Sequence, residues 1–284
     1  MMKTYRFCII GVGLIGGSLG LALKKFKLAR EVIGFGRNPA RLKEAKRLGA
    51  IDGFSLSLKE VLRDVDIVVI ATPVAKILDF AKEVFREARE GSIVIDVGST
   101  KSLIVRQIEK IKPKGIGFVG CHPLAGSEKS GVRYASPNLF LHAPCIITKT
   151  NKTDKDALRT VSSIWEKLGS KVIIMEPAEH DRVLSFISHL PHMLSVALVN
   201  TVSSKYLKLA SGGFRDMTRI ASSEPVMWHD ICLTNRINIL KAIDIYKRCL
   251  EEIAHSIKTS DSSSLLKTLK FAKDKRDILL KENL

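Results

Sequence analysis

Short apolar runs rich in β-branched residues alternate with amphipathic stretches along the first 176 residues of the chain. The apolar runs predict strands at 6–10, 32–35, 67–71, 93–97, 116–120, 143–148 and 171–175. The stretches between them predict helices, among them 14–25, 39–48, 74–88 and 101–111. Apolar strands that alternate with helices are typical of a mostly parallel sheet covered on both faces. The pattern therefore predicts a doubly wound α/β domain, whose ligands bind at the carboxyl ends of the strands.

The second part of the chain, 177–284, shows helical periodicity only, so we place a domain boundary near residue 176. Apolar side chains recur every three or four residues from Trp228 to Ile253, after a Ser-Ser-Glu-Pro helix-start signal at 222–225. This spacing predicts one long helix with an apolar stripe, which we interpret first as core. A few long helices alone would leave much apolar surface exposed, and a second subunit can cover it. We therefore expect an all-helical domain that also forms a homodimer.

Composition restricts the class of protein. The chain has 284 residues, of which 45% are hydrophobic and 26% charged, as in a globular protein with a real core. The net charge is +17, but basic and acidic residues are interleaved without a run of five basic residues. This distribution favours a solvated surface that attracts acidic small molecules over a nucleic-acid interface. The cysteines form no CxxC pair and no metal-like cluster, so we expect free thiols in a reducing cytoplasm and no metal site.

The apolar stretch at 7–23 has a second interpretation. It follows Lys3 and Arg6 and could be a secretory signal peptide. Its five glycines and the lack of a convincing cleavage site favour a strand, a turn and a helix instead. No other run approaches the roughly 18 apolar residues that a membrane span needs, so we expect a cytoplasmic protein without a membrane partner.

The first chemical motif is Gly11-Val12-Gly13-Leu14-Ile15-Gly16, which follows a strand and opens a helix. This is the context of the dinucleotide-binding fingerprint of Rossmann-type domains. Gly11 allows the tight turn, Gly13 lets a pyrophosphate approach the backbone, and Gly16 lets helix and strand pack closely. The helix N-terminus, with Leu14 and Ile15, then offers N–H groups to the phosphates. The alternative is a glycine-rich turn without a ligand.

The end of the second predicted strand decides which dinucleotide binds. An acidic residue there would bind the ribose 2′-hydroxyl of NAD, but the sequence reads Gly34-Phe35-Gly36-Arg37. A small residue followed by an arginine leaves room and charge for a 2′-phosphate. We therefore expect NADP rather than NAD. Alternatively, Arg37 stacks on the adenine or points into solvent.

Three later strand ends also carry polar residues. Ala71, Thr72 and Pro73 can line the cofactor, whereas Ser99 or Thr100 is either functional or an N-cap of the following helix. His122 follows the strand at 116–120 and should lie where the nicotinamide binds. An imidazole there can accept a proton from a substrate hydroxyl as hydride leaves the adjoining carbon. A structural histidine is the alternative.

The chain resembles the prephenate/arogenate dehydrogenase family of tyrosine biosynthesis. The matching segments are GVGLIGGS at 11–18, DVGSTK at 96–101, HPLAG at 122–126, SHLPH at 188–192 and GFRDMTRIASSEPVMW at 213–228. They occur in the order found in the family and extend over nearly the whole chain. The last two are not general features of dinucleotide-binding domains, which makes the resemblance specific.

The resemblance implies a role for each matching residue. His122 would hydrogen-bond the ring hydroxyl of the substrate, and Ser99 would contact both this hydroxyl and the nicotinamide. Arg219, supported by Asp216, would hold a substrate carboxylate. The other implied substrate-binding residues are Glu128, which guards the pocket, Ser188, His192, Gly212 and Trp228, an aromatic at the pocket wall.

The residues themselves leave alternatives open for part of this set. Asp216 and Arg219 are three residues apart on a predicted short helix and could form a plain surface ion pair. Pro191 should kink its helix and free a backbone carbonyl, which would place Ser188 and His192 on one face near the kink. A packed helix bend with satisfied histidines is the alternative.

The implied reaction is the oxidative decarboxylation of prephenate to 4-hydroxyphenylpyruvate, or of arogenate to tyrosine, with hydride transfer to NAD(P). We expect prephenate to be preferred, because an imidazole at His192 suits a keto acid better than an ammonium group. The basic balance also attracts a dianion. A β-hydroxyacid or imine-type reductase and a non-catalytic dinucleotide sensor are the alternatives. The first should carry a catalytic lysine where this chain has Ser188 to His192, and the second would not need His122, His192 and Arg219 together.

Overall fold

A computed structural model describes residues 4–127 and 129–281. Its centre is one sheet of eight strands in the order β3-β2-β1-β4-β5-β6-β7-β8. All neighbouring strands pair in parallel except β6 and β7, which are antiparallel. The strands are β1 Tyr5–Ile10, β2 Ala29–Phe35, β3 Gly53–Ser55, β4 Ile67–Ile70, β5 Ile93–Asp96, β6 Gly117–Pro123, β7 Pro144–Thr148 and β8 Lys171–Met175. The predicted mostly parallel sheet is confirmed.

Twelve α-helices lie within the described residues. They are α1 Leu14–Lys25, α2 Pro39–Arg47, α3 Leu58–Leu62, α4 Val74–Glu87, α5 Ser102–Ile111, α6 Lys155–Lys167, α7 Pro177–Leu184, α8 Leu190–Thr201, α9 Gly212–Thr218, α10 Pro225–Thr234, α11 Arg236–Lys258 and α12 Ser262–Lys281. A π-helical turn, Ser185–His189, joins α7 to α8, and a 3₁₀ turn, Arg219–Ser222, follows α9. The helical character predicted after residue 176 is confirmed for the described residues.

Two hydrophobic cores cover the two faces of the sheet. Successive side chains of a strand point to opposite faces, so Phe7 and Ile9 of β1 enter one core, and Cys8 and Ile10 enter the other. Helices α1, α2 and α6 close the first core, and α3, α4 and α5 close the second. The stretch at 7–23 lies inside this arrangement as β1, a turn and the first part of α1, as the strand-turn-helix interpretation predicted.

Two strand predictions need correction. The short strand β3 was not predicted, because three residues are too few to show a period. His122 lies within β6 rather than after it, since the antiparallel partner β7 extends the pairing and sets His122 opposite Ile146. The histidine therefore sits on a hydrogen-bonded strand end, which is more rigid than a loop.

The predicted single helix from 228 to 253 is also wrong. Helix α10 begins at Pro225 as the start signal indicated, but it ends at Thr234, and α11 begins at Arg236. Asn235 at the break donates a hydrogen bond to the carbonyl oxygen of Asp181 (2.7 Å). Asparagine favours helix ends because its side chain competes for backbone groups. The predicted core stripe is only partly buried, since Ile231 is buried but Leu250 is 51% exposed.

The chain forms two compact units, the first ending at Arg236 and the second beginning at Ile237. Helices α7 to α10 thus belong to the unit that contains the sheet, and the second unit consists of the rest of α11 together with α12. The domain boundary near residue 176 is a different division of the chain and stays a prediction.

One helical segment, Pro177–Thr201, is long and apolar enough to cross a membrane by length and composition. The expectation that no such run exists beyond residues 7–23 is therefore wrong. Three histidines of this segment, His180, His189 and His192, are nevertheless buried inside the protein. His180 is hydrogen-bonded to Asp181 and His189 to Asn235, as is expected of polar side chains in a helix that packs within a folded unit.

The glycine turn between β1 and α1 explains how helix and strand approach each other. Gly11 has φ +93°, a conformation that side chains rarely adopt. A methyl group at Gly16 would lie 2.2 Å from the carbonyl oxygen of Gly11. Both glycines are thus required by the backbone itself, in agreement with the roles predicted for them.

We expect Gly16→Ala to lower the free energy of unfolding by about 1–3 kcal/mol, because the added methyl group must displace backbone. The measurement is chemical denaturation without cofactor. Gly213→Ala is the matched control, since a methyl group there meets nothing within 4 Å. Equal midpoints for the Gly16 variant and the wild type would contradict the close packing.

Candidate active site

The carboxyl edge of β1 and β4 forms a cradle around the glycine turn. A methyl group at Gly13 would meet nothing within 4 Å, and no side chain of the described residues caps the N-terminus of α1. Leu14 and Ile15 form the first helical turn, whose N–H groups have no partner within the helix. The backbone here is therefore open to an anionic ligand.

Thr72 adds a polar group to this cradle. Ala71, Thr72 and Pro73 link β4 to α4, and a methyl group at Gly11 would lie 3.1 Å from the Thr72 methyl. The Thr72 hydroxyl is buried and has no hydrogen-bond partner in the described part of the chain. An unpaired buried hydroxyl beside an open glycine turn fits a bound dinucleotide. Arg37 follows β2 and is exposed.

His122 stands at the same edge on β6 and belongs to a series of hydrogen-bonded side chains. Its Nδ1 lies 2.8 Å from Nε2 of His180, and Nδ1 of His180 lies 2.8 Å from Oδ1 of Asp181. Burial lowers the pKa of His122 well below 6.5, and the neighbouring His180 and Lys101 lower it further. The imidazole is therefore neutral at pH 7 and able to accept a proton.

A buried ion pair lies beside this series, at the end of β5. The Lys101 ammonium is fully buried and donates a hydrogen bond to Asp96, which also accepts one from the Gly98 N–H (3.1 Å). Burial raises the pKa of the Asp96 carboxyl, although Lys101 acts in the opposite direction. Paired charges without water are costly to separate, so this pair anchors the loop that holds Ser99.

The side chain of Asp181, which lies on α7, caps the N-terminus of helix α5. Its two oxygens accept hydrogen bonds from the backbone N–H groups of Lys101 (2.8 Å) and Ser102 (2.9 Å). The N-cap position is Lys101, so the interpretation of Ser99 or Thr100 as a simple N-cap is wrong. The Thr100 hydroxyl instead bonds to that of Thr234 (2.9 Å). Ser99 remains partly exposed on the loop between β5 and α5, next to the strand that carries His122.

The segment around Pro191, together with Trp228, forms another part of the candidate site, which we call the aromatic wall. The predicted irregularity is present, but it is a π-helical turn that precedes the proline, and Pro191 itself lies in the first turn of α8. The His192 ring stacks on Trp228 at 3.5 Å and 4°. His189 meets the edge of the same indole at 6.0 Å. Ser188 is half-buried on the same π-helical turn that brings His189 to Trp228.

Four buried polar atoms of this wall have no hydrogen-bond partner within the described residues. They are Nε2 of His189, Nδ1 of His192, Oγ of Ser195 and Nε1 of Trp228. Buried polar groups are nearly always satisfied, by water or a ligand where protein does not do it. The wall can therefore bind a polar group of a substrate.

The remaining predicted residues lie on or near α9. Gly212 and Asp216 belong to this helix, and Arg219 begins the 3₁₀ turn after it. Asp216 and Arg219 are both exposed. The turn packs against α8, the helix that carries His192. Glu128, predicted at the pocket, lies outside the described residues.

Sequence reasoning missed several residues of the site. His180, Asp181 and His189 were given no role, nor were Asp96 and Lys101 within their motif. A His-Asp pair between Glu179 and Arg182 in α7 gives no clear signal for the first two, because only the fold sets them beside β6 and α5. Among the described residues, no group of three or more His, Cys, Asp and Glu could hold a metal ion.

The fold and the site together define a nicotinamide-dependent dehydrogenase with a Rossmann-type domain. Two family models match the chain: the nucleotide-binding domain of prephenate dehydrogenase over 19–174 and the dimerization domain of prephenate dehydrogenase over 176–271. The chain belongs to the prephenate/arogenate dehydrogenase family.

Individual relatives agree with this assignment. The prephenate dehydrogenase of Bacillus subtilis is 40% identical over 95% of this chain and 74% of its own length. The structure of Aquifex aeolicus prephenate dehydrogenase with hydroxyphenyl propionate and NAD⁺ has a TM-score of 0.92 and 37% identity, covering 98% of this chain and 99% of that one. Synechocystis arogenate dehydrogenase has a TM-score of 0.82 and 30% identity, with 96% and 99% covered.

The burial of His192 in the aromatic wall predicts how the stability of the protein depends on pH. Burial lowers the pKa of His192 from 6.5 to about 4 in the folded protein. Between these two values the unfolded chain binds a proton that the folded protein does not. The free energy of unfolding should therefore fall as the pH is lowered from 6.5 to about 4.

The measurement is urea denaturation across this pH range for the wild type and His192→Gln. The free energy of unfolding should depend less steeply on pH in the variant than in the wild type. The difference in slope is at most that of one bound proton, about 1.4 kcal/mol per pH unit. His142→Asn, at an exposed position, is the control for the loss of a histidine. Equal slopes for wild type and His192→Gln would contradict a buried neutral imidazole.

Proposed function

We propose that this chain catalyses the oxidative decarboxylation of prephenate to 4-hydroxyphenylpyruvate, with His122 as the residue that accepts the hydrogen bond of the substrate hydroxyl. The observation that carries the assignment is the neutral imidazole of His122 on β6, at the sheet edge that also holds the glycine cradle. Family membership agrees with it.

His122 and Ser99 act on the reacting end of the substrate. The neutral imidazole accepts the ring hydroxyl proton, so the C–H bond of the carbinol carbon can release hydride. When bound, the nicotinamide supplies the acceptor for this hydride. The bond to the ring carboxylate then breaks as carbon dioxide leaves, and its electron pair completes the aromatic ring. The phenolate oxygen takes the proton back from His122, which gives the phenol and restores the neutral imidazole. Ser99, on the neighbouring loop, contacts the hydroxyl and orients it.

Residues of the helices after the sheet bind the rest of the substrate. Arg219 binds a carboxylate, since a guanidinium offers paired N–H donors in a fixed fork, and Asp216 and Gly212 support it. His192, Ser188 and Trp228 bind the keto-acid side chain, where unpaired polar atoms are buried. Glu128 lies outside the described residues, and its proposed role of guarding the pocket rests on the family resemblance. Alignment between these residues and the cofactor is the main contribution of the protein to the rate.

The cradle formed by Gly11, Gly13, Leu14, Ile15 and Gly16 would hold the cofactor, together with Ala71, Thr72 and Pro73 in the link from β4 to α4. We propose NADP as the preferred form. The support is the exposed Arg37 after β2, at the position where NAD-specific domains carry an acidic residue. Ser99 would contact the nicotinamide end, as the family resemblance implies.

Residues 177–284 form a helical domain for substrate binding and dimerisation, and residues 1–176 form the dinucleotide-binding domain. Large apolar side chains are exposed on the second compact unit, among them Leu240 (54%) and Ile257 (61%). Apolar surface of this kind is typical of subunit contacts, and the family model for this part is a dimerization domain. The proposed working form is therefore a homodimer. We keep the expectations from the sequence that it lies in the cytoplasm and has no nucleic-acid or membrane partner.

Arogenate is the second candidate substrate, either alone or in a dual-specificity enzyme. It carries an ammonium group in place of the keto group, and a carboxylate at Glu128 could pair with it. One solved relative is an arogenate dehydrogenase. The neutral His192 favours the keto group over an ammonium group. The net charge of +17 favours prephenate, a dianion, over arogenate, in which the ammonium group compensates one negative charge.

A coupled assay of prephenate and arogenate, each with NAD and NADP, tests the function. We expect kcat/KM to be higher for prephenate at fixed ionic strength. His122→Asn should lower kcat by roughly 10²–10⁴ and leave the cofactor Kd nearly unchanged. A preference for arogenate of about tenfold would reverse the substrate assignment, and an unaltered kcat in the variant would remove His122 from the chemistry.

The cofactor preference has its own test. Arg37→Ala should weaken NADP by about 1.5–3 kcal/mol, the cost of one charge-assisted hydrogen bond, and leave NAD binding unchanged. Titration of cofactor fluorescence gives both Kd values. Arg41→Ala is the matched control, because Arg41 is an exposed arginine of the following helix. Equal losses for both cofactors, or a wild type that does not use NADP, would show that Arg37 has no such role.

A further inference from the structure

The series from Asp181 to His122 has a direction that the hydrogen-bonding groups dictate. Both oxygens of Asp181 accept backbone N–H groups at the start of α5, and Oδ1 also lies 2.8 Å from Nδ1 of His180. An ionised carboxylate has no hydrogen to donate, and the helix N-terminus favours its negative charge. Nδ1 of His180 is therefore the donor in its bond to Asp181.

The tautomer of His180 determines which ring nitrogen of His122 carries the hydrogen. Burial lowers the pKa of His180 below 6.5, which keeps the ring neutral with a single N–H. If Nδ1 carries that hydrogen, Nε2 of His180 has a free lone pair. His122 must then donate from Nδ1 across the 2.8 Å contact. A neutral His122 with its hydrogen on Nδ1 leaves a lone pair on Nε2, which has no hydrogen-bond partner among the described residues.

The groups around the two rings keep both of them neutral. The ammonium of Lys101 lowers the pKa of His122 and of His180, and His189 also lowers that of His122. Asp181 and Asp96 raise the pKa of His180, but burial is the larger effect. A neutral pair of imidazoles can hold only one hydrogen between them along this contact, so the tautomers of the two rings are linked.

We infer that His180 and Asp181 are positioning residues that hold His122 in the tautomer whose Nε2 accepts the hydrogen bond of the substrate hydroxyl. The inference deepens the proposed function and depends on the role given there to His122. Asp181 has a second effect, because the same carboxylate caps α5 and so fixes the loop that carries Ser99. One side chain thus orients both residues assigned to the reacting end of the substrate.

His180→Phe and His180→Gln separate orientation from packing. Phenylalanine fills the site but cannot accept the hydrogen bond from His122. Glutamine can accept it with its amide oxygen and donate to Asp181 with its nitrogen. We expect His180→Phe to lower kcat about 10- to 100-fold, by analogy with residues that orient metal-bound histidines through a hydrogen bond, with little change in KM. His180→Gln should recover most of the loss. His142→Asn, at an exposed histidine, should retain wild-type kcat.

Two-bond ¹H–¹⁵N spectra of histidine-labelled protein show directly which ring nitrogen carries the hydrogen. In the wild type we expect Nδ1–H for both His122 and His180, with signals assigned from the His122→Asn and His180→Phe variants. In His180→Phe, the His122 signals should shift toward the Nε2–H form. A wild-type His122 with its hydrogen on Nε2, or unchanged kcat and spectra in His180→Phe, would overturn the inference.

The spectra require no turnover, so they remain decisive if neither prephenate nor arogenate is a substrate. A failed assay with the expected tautomers would refute the proposed function alone. If His180→Phe does not fold, the wild-type spectrum and the kcat of His180→Gln still test the inference: an Nε2–H form of His122 in the wild type would overturn it.

Discussion

The carboxylate of Asp181 is the contact on which the site depends. It lies on the first helix after the sheet, yet it accepts the opening N–H groups of α5 and the ring of His180. A helix N-terminus whose donors are satisfied by a side chain from another element cannot move independently of it. The sheet edge and the helix α7 are therefore joined at the candidate site, and the hydrogen bonds of this junction extend through His180 to His122.

Parallel topology explains why the chemical groups meet at all. The glycine turn follows β1, Thr72 follows β4, Ser99 follows β5, and His122 lies at the end of β6. These strands are consecutive neighbours in the sheet, so their carboxyl ends form one continuous edge. Rigid strands and a buried Lys101–Asp96 pair hold the edge, and a helix N-terminus supplies partial positive charge for phosphates. Cofactor cradle and reacting residues thus share one scaffold.

Burial produces two different kinds of polar environment in the site. At Lys101 and Asp96, opposite charges are paired away from water. At His122, His189 and His192, burial keeps the imidazoles neutral. The first arrangement stiffens the loop below the cofactor, and the second leaves lone pairs and N–H groups free to exchange hydrogen bonds with a substrate. An exposed guanidinium at Arg219 adds a full positive charge outside this neutral region.

The mostly parallel sheet, the bounds of α1, α2, α4 and α5 to within one residue, and the glycine turn followed from the amino-acid sequence, because they depend on local periodicity and on a short motif. The roles of His122, His192 and Trp228 rest on motifs and stay predictions. Only the tertiary structure decided the break at Asn235, the π-helical turn, the end of β6 and the series from Asp181 to His122. Each of these depends on residues far apart in the chain: Asn235 bonds to a carbonyl 54 positions away, and Asp181 caps a helix start about 80 positions earlier. Such contacts leave no period in the sequence, since they arise from how packed elements meet and not from the preference of any one segment.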